Sequence, residues 1–332
     1  MLAPGREHSG GRFHVATRKI QEERVQNLNE EKVGEGDYVL YWMQSSQRAE
    51  QNHALEYAVQ QANDLNQRLL VVFGLTDDYP EANLRHYAFM LEGLMDVQEA
   101  LKDRGIRMVV RRGSPDEVAL EAGRGASLIV TDRGYMRPQR EWREKVAAEA
   151  GCLVTQVESD VVVPVELASG KQEHAARTLR PKIGEYLEDF LVELTPTKPE
   201  KQSLNMQADG LDLSDIDSVL DGMGLDRSVG ALGHLYKGGN SEASRKFRRF
   251  LKHSFGDYDA NRNQPQTDYV SHMSKYLHFG HVSPVWLVLE ARKANAKNDD
   301  IESFVEELVV RRELSINFVF YNEAYDSYSN LP

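Results

Sequence analysis

The feature that most constrains this chain is the alternation in its first half, where short apolar runs are each followed by an amphipathic stretch of helical period. Asp37 to Met43 (DYVLYWM) has strand length, and Arg68 to Thr76 (RLLVVFGLT) is nearly continuous in apolar residues, as a strand buried on both faces requires. Between them the chain reads as helix to about Leu65, with Ser45 or Ser46 as its expected N-cap. Asn83 to Arg104 places Leu84, Tyr87, Ala88, Leu91, Leu94, Val97 and Leu101 on one helical face. Further strands are expected at 107–111, 127–132 and 153–157, separated by helices at 115–122 and 138–150. Repeated strand–helix–strand units dictate a parallel sheet covered on both sides. No Gly-rich phosphate fingerprint follows the first strand, which disfavours a dinucleotide-binding enzyme on that sheet.

The second half changes character. Residues 160–200 lead into an expected helix at EYLEDFLVEL and then to TPTKPEK, which reads as a solvated linker. Residues 201–240 are polar and Gly-rich, so a long surface connection with little helix is expected. From Ser241 the pattern is helical to about Asn317, with breaks near 259–267 and 297–300. The domain plan is therefore a flexible arm over 1–35, an α/β domain over 36–170, a connecting segment over 171–240 and a helical domain over 241–332. No apolar run is long enough to span a bilayer, and the polar, Gly-broken N-terminus lacks the apolar core of a signal peptide. These features point to the cytoplasm, or to the nucleus in a eukaryote. Cys152 is the single cysteine, so neither an internal disulfide nor a cysteine-based metal site can form. A net charge of -12 argues against a protein coated in nucleic acid and leaves room for a local basic groove.

Chemistry-bearing residues concentrate in Phe255 to Ser283, FGDYDANRNQPQTDYVSHMSKYLHFGHVS. This stretch gathers Tyr258, Arg262, Asn263, His272, His278, Phe279 and His281 beside Ser271, Ser274 and Gly280, a mix suited to a flat polar ring system and a phosphate. Each residue also has a plainer reading: Tyr258 as a helix-end ring on the core, Ser271 to Ser274 as a capped turn, Arg262 as a surface ion pair. Glu307 and Arg311 stand four apart, as in a solvated helical ion pair, with Leu314, Ser315 and Phe318 continuing the stripe. The run Arg245, Lys246, Arg248, Arg249, Lys252 is a solvated face or a set of phosphate contacts. His278 and His281 lack a third ligand at metal-site spacing and are expected to pack or hydrogen-bond, and Gly280 to allow a close helix contact.

The segments YWMQSSQRAEQNHAL (41–55), RHYAFMLEGL (85–94), EHAARTLRPKI (173–183), GGNSEASRKFRRFLKHSFGDYDANRNQP (238–265), SHMSKYLHFGHVSP (271–284) and EELVVRRELSINFVFYN (306–322) resemble, in order, those of the photolyase/cryptochrome family, and most of all its class II cyclobutane pyrimidine dimer photolyases. The chain departs from that pattern at Ser45-Ser46, His53 and Lys275. The resemblance implies a Rossmann-like parallel α/β domain, a long linker and a helical FAD-binding domain that continues beyond Pro332 in the family. Such a truncated chain would bind FAD weakly or not at all.

It also implies roles. Tyr258, Val270, Ser271, His272, Met273 and Ser274 would contact FAD, the serines supplying hydroxyls and backbone N–H groups to its pyrophosphate. Arg262, Arg311 and Arg312 would face damaged DNA or the lesion, Arg312 more than Glu313 reaching phosphate. Glu307, as a desolvated carboxyl, would hydrogen-bond the pyrimidine dimer. The implied activity is light-driven repair of pyrimidine dimers by a carbon–carbon lyase, with FAD and an antenna chromophore, deazaflavin or folate, and no obligate protein partner. The competing expectations are a cryptochrome-like light sensor and a truncated, non-catalytic nucleotide- or DNA-binding remnant.

Overall fold

The computed structural model describes residues 20–330, His234 excepted. Six strands, β1 (Val25–Asn27), β2 (Tyr38–Trp42), β3 (Arg68–Leu75), β4 (Arg107–Arg112), β5 (Ala126–Asp132) and β6 (Leu153–Val157), form one sheet in the order β1-β6-β5-β2-β3-β4. Every pairing is parallel except the antiparallel edge pair β1–β6. Strand alternation sorts the core into two layers. Val39, Tyr41 and Val71 pack under α1 (His53–Asp64) and α2 (Leu84–Asp103), while Leu40, Trp42, Leu70 and Val72 pack under α3 (Pro115–Gly123) and α4 (Arg137–Glu149). The chain runs outward from β2 to β3 and β4, then returns to β5 and β6 on the other side. The order therefore reverses between β2 and β5, and their carboxyl ends open a crevice.

The parallel α/β architecture follows the sequence expectation, and three local readings are corrected. The first helix begins at His53 and is capped by Asn52, whose side chain accepts from the Leu55 N–H at 3.1 Å. Ser45 and Ser46 stay in the β2–α1 loop because they bond elsewhere: the Ser45 N–H is held by Asp132 at 2.7 Å, and the Ser46 hydroxyl donates to Asp160 at 3.0 Å. Of the flexible arm expected over 1–35, residues 1–19 lie outside the described residues and residues 20–35 are part of the fold. Ile20 and Arg24 are buried and β1 adds an edge strand. The Arg24 guanidinium donates to the carbonyls of Glu158, Val161 and Val162, and burial pushes its pKa down to about 10. The third correction concerns the TPTKPEK linker, which packs on α1. Thr197 is buried, its N–H reaching Glu56 at 2.5 Å and its carbonyl accepting from Arg104 at 3.0 Å.

The helical half comprises α5 (Val165–Ala168), α6 (Ala176–Phe190), α7 (Ile216–Asp221), α8 (Asn240–His253), α9 (Tyr258–Asn261), α10 (Ser274–His278), α11 (Pro284–Lys293), α12 (Asn298–Val305), a π turn at Glu306–Arg311, and α13 (Arg312–Tyr321). The helix expected at EYLEDFLVEL is α6, which starts earlier and ends at Phe190. Of these, α7 packs on α2 in the sheet-domain core, with Leu220 buried there, while the others gather around an aromatic core of Phe247, Phe250, Phe255, Tyr258 and Phe304.

This core docks on the α/β half through close backbone approaches. Gly280, at φ +67°, sits so near the β2–α1 loop that a methyl group would overlap the Ser45 carbonyl oxygen. Its contact is thus with a loop of the sheet domain and not with a helix, as expected from sequence. Buried Arg48 seals the same seam, donating to Asp160 at 2.7 Å, the Gly280 carbonyl at 2.9 Å and the Ser159 carbonyl at 2.9 Å.

Candidate functional site

A cleft of about 1140 Å³ runs from the carboxyl edge of the sheet to the helical half. This exceeds the usual range of roughly 300–1,000 Å³ for a single small-molecule pocket. At the sheet end it is lined by Met43, Gln44, Ser45 and Gln47 after β2, by Phe73 to Thr76 at β3, and by Arg133 to Tyr135 after β5. These are the residues that the reversal of strand order places at the crevice. Asp132 organises this floor from below. It is fully buried and accepts from Tyr41 Oη at 3.0 Å, from the Gln44 N–H at 2.9 Å and from the Ser45 N–H at 2.7 Å. Burial raises its pKa, reinforced by the neighbouring Asp160. Tyr79 and Trp142 form a tilted ring pair, 6.2 Å between centroids, on one wall. The buried Gln44 and Gln47 Oε1 atoms have no protein hydrogen-bond partner. Sequence reading named no residue at this end, although the expected parallel sheet carried a general signal: in such sheets a ligand crevice opens where the strand order reverses.

The helical end brings together Tyr258, Ser271, Met273, Ser274, Glu307 and Arg312, all of them on the cleft surface. Tyr258 stands edge-on to Phe304, and burial raises the pKa of its hydroxyl, with Arg262 alongside. Met273 is buried, and its N–H approaches the Ser271 hydroxyl at 3.4 Å. His278 and Phe279 also line the cleft. Burial, with His86 nearby, keeps the His278 pKa below its ordinary value. His281 is buried behind them, accepts the Gly239 N–H at 3.1 Å, and is pushed by burial down to about 3.

Four of the expected site residues lie off this surface. Val270 is solvent-facing. His272, at φ +56°, turns outward and pairs with Asp268 at 2.6 Å. Arg262 sits behind the wall, its Nη1 donating to Glu307 at 2.8 Å. Arg311 points to solvent and bonds Glu306 at 3.1 Å.

The reason for the last displacement is the π turn. An extra residue in the turn pairs positions five apart, 306 with 311, and breaks the four-residue stripe expected from Glu307 through Arg311. The cleft face is instead Glu307, Leu308, Arg312, Ser315, Ile316 and Val319. Glu307 is not the desolvated carboxyl expected: its side chain is 40% exposed and its charge is met by Arg262. Arg312 is half-buried, with Nη1 lacking a protein partner. Glu313, beside it, is 4% exposed and accepts the Val162 N–H at 2.5 Å.

The cleft thus opens between a doubly wound sheet and a helical layer, with serines, a tyrosine and Glu307 on one wall. A family profile described as DNA photolyase matches residues 39–201. A deoxyribodipyrimidine photo-lyase from Methanothermobacter thermautotrophicus is 46% identical over 317 residues, which cover 94% of this chain and 68% of that protein.

The chain belongs to the DNA photolyase family.

The photo-lyase of Potorous tridactylus is 35% identical over 292 residues, 86% of this chain and 54% of that protein. Among solved structures, the cryptochrome of Synechocystis sp. PCC6803 superposes with a TM-score of 0.69 at 16% identity, covering 86% of this chain and 61% of that one. That likeness establishes the photolyase/cryptochrome fold alone. The chain thus spans between about half and two thirds of the length of these relatives. No helix among the described residues is long and apolar enough to cross a membrane.

Proposed function

We propose that this chain is a photolyase that repairs cyclobutane pyrimidine dimers in DNA under light, with FAD at the helical end of the cleft. The observation that carries the reading is the convergence of Tyr258, Ser271, Ser274, Glu307 and Arg312 on one surface in a member of this family. We place it in class II on the ordered motifs quoted above, and take 36–170 as the antenna domain, 171–240 as the connection and 241–332 as flavin-domain sequence.

The helical end fits a dinucleotide cofactor. It pairs apolar walls at Phe304, Leu308 and Leu277 with hydroxyls at Ser271 and Ser274 and an unpartnered Arg312 Nη1. When bound, FAD supplies the light-driven electron that opens the cyclobutane ring and to which that electron returns. The protein's share is placement and exclusion of water. Ser271 and Ser274 would hold the phosphate oxygens of FAD, and Tyr258, Met273 and Phe304 would supply the phenol and the apolar surface that contact it. Glu307 receives the base edge of the flipped dimer once Arg262 turns from the carboxylate to a DNA phosphate. Arg312 meets negative charge entering the cleft, and Arg311, outside it, meets the flanking backbone.

The sheet end is taken as the antenna site. Unpartnered acceptors on Gln44 and Gln47 and the Tyr79–Trp142 pair suit a flat conjugated ring. Absorption of the chromophore extracted from purified protein separates deazaflavin from folate.

The deciding experiment is blue-light illumination of dimer-containing oligonucleotide with the purified chain, with and without added reduced FAD. Light-dependent loss of dimers supports repair. Stoichiometric flavin with no loss of dimers would establish the cryptochrome-like reading. Oligonucleotide binding without flavin would indicate a non-catalytic DNA-binding role.

A further inference from the structure

Helix α13 carries two adjacent polar-edged faces with different duties. Arg312, Ser315, Ile316 and Val319 look into the cleft. About 100° round the helix, at four-residue spacing, stand Glu313, Asn317 and Tyr321. These three side chains bond the backbone of the segment that links the sheet to the helical half. Glu313 accepts the N–H groups of Val162 at 2.5 Å and Val163 at 3.4 Å. Asn317 accepts the Glu173 N–H at 2.7 Å and donates to the Lys171 carbonyl at 3.1 Å. Tyr321 donates to the Ser169 carbonyl at 2.6 Å. Glu313 and Asn317 are 4% and 1% exposed, so both bear the cost of desolvation.

A helix that needed only burial would carry leucine at these positions. Apolar contact is non-directional and tolerates rotation of a helix about its axis. Hydrogen bonds to fixed backbone groups do not, because a turned helix leaves buried donors and acceptors unmet. Rotation is the particular hazard here. The π turn directly before α13 inserts one residue, and its relaxation to α geometry would turn the cleft face by about 100°.

We propose that Glu313, Asn317 and Tyr321 are positioning residues that, by tying α13 to residues 162–173, keep the π turn wound and hold Glu307 and Arg312 toward the cleft. The structural part of this inference stands without a ligand; its effect on DNA rests on the function proposed above.

The test uses the full chain and compares Tyr321→Phe and Asn317→Leu with Tyr38→Phe. The last removes a comparable hydrogen bond, to the Ala122 carbonyl, at the opposite end of β2. Amide hydrogen exchange is read over 162–173 and over 306–312. The ladder variants are expected to exchange on the order of tenfold faster in both segments, the control in neither, as loss of one buried hydrogen bond allows. Faster exchange over 162–173 with 306–312 unchanged, or equal acceleration in the control, overturns the proposal. Tyr321→Phe removes one hydroxyl and keeps the test open if Asn317→Leu does not fold. In a second arm, affinity for dimer-containing oligonucleotide is expected to fall in the ladder variants and to hold in the control. If the unsubstituted chain does not bind that oligonucleotide, the proposed function fails and the exchange data still decide the positioning role.

Discussion

Raising the pH from about 5 to about 8 should weaken this fold through the buried carboxyl of Glu313, and replacing it by Gln should remove that carboxyl's share of the pH dependence. Burial raises the Glu313 pKa from 4.5 to about 7, against the opposing pull of the Val162 and Val163 N–H groups and of Arg312 and Arg24. Between those two values the folded chain keeps a proton that the unfolded chain has lost. The native state then binds more protons than the unfolded one, so stability falls as pH rises and levels off above about 7. A displacement of that size corresponds to about 3 kcal/mol at the plateau, with little solvent screening because the group is buried.

Glu313→Gln keeps an oxygen for the Val162 N–H and sets an amide against Val163, a mismatch that does not change with pH. The difference in unfolding free energy between the two proteins, from urea denaturation at each pH, therefore isolates the carboxyl. Histidines buried neutral, such as His53 and His281, titrate alike in both and cancel. The difference should move in favour of the Gln variant by about 2.5 kcal/mol across this range, since part of the change is already complete at pH 5. A difference constant to within about 0.5 kcal/mol would refute the reasoning.

Other outcomes are equally specific. Gly280→Ala forces a methyl into the Ser45 carbonyl at a left-handed backbone position and should cost at least about 2 kcal/mol, read from the urea midpoint; an unchanged midpoint would show that the two halves are not docked so closely. Arg48→Met leaves the Asp160 charge without its cation and the Gly280 carbonyl without its donor in the seam and should cost about 3–5 kcal/mol, partly recovered in Arg48→Met/Asp160→Leu. Thermal unfolding of the pair of variants checks this, and a double variant no better than the single one would count against it. Glu307→Ala should weaken binding of dimer-containing oligonucleotide about tenfold and leave undamaged oligonucleotide unaffected, measured by fluorescence anisotropy.

The sequence by itself determined the class of fold, because strand-length apolar runs alternating with helical stripes admit little besides a covered parallel sheet. It also pointed to the family through the ordered motifs from Tyr41 to Asn322, in agreement with 46% identity to a photo-lyase over 317 residues, and it placed chemistry in 255–283, where Tyr258, Ser271, Met273 and Ser274 do meet at one cleft. Local pattern reads neighbours along the chain, and the remaining features depend on partners far away in it. The capping role expected of Ser45 and Ser46 gave way to Asp132 and Asp160, roughly ninety and over a hundred positions on. Arg311 left the cleft because a single extra residue in the π turn shifted the helix register, and nothing in EELVVRREL announces that turn. From sequence, Glu313 figured only as less able than Arg312 to reach DNA phosphate. Only the tertiary structure shows it buried on the backbone of residues 162 and 163, since periodicity reports which side of a helix a residue occupies and not what is packed there. The two ends of the cleft likewise became one cavity through contacts between Gly280, Arg48 and the β2–α1 loop, which join stretches more than two hundred residues apart.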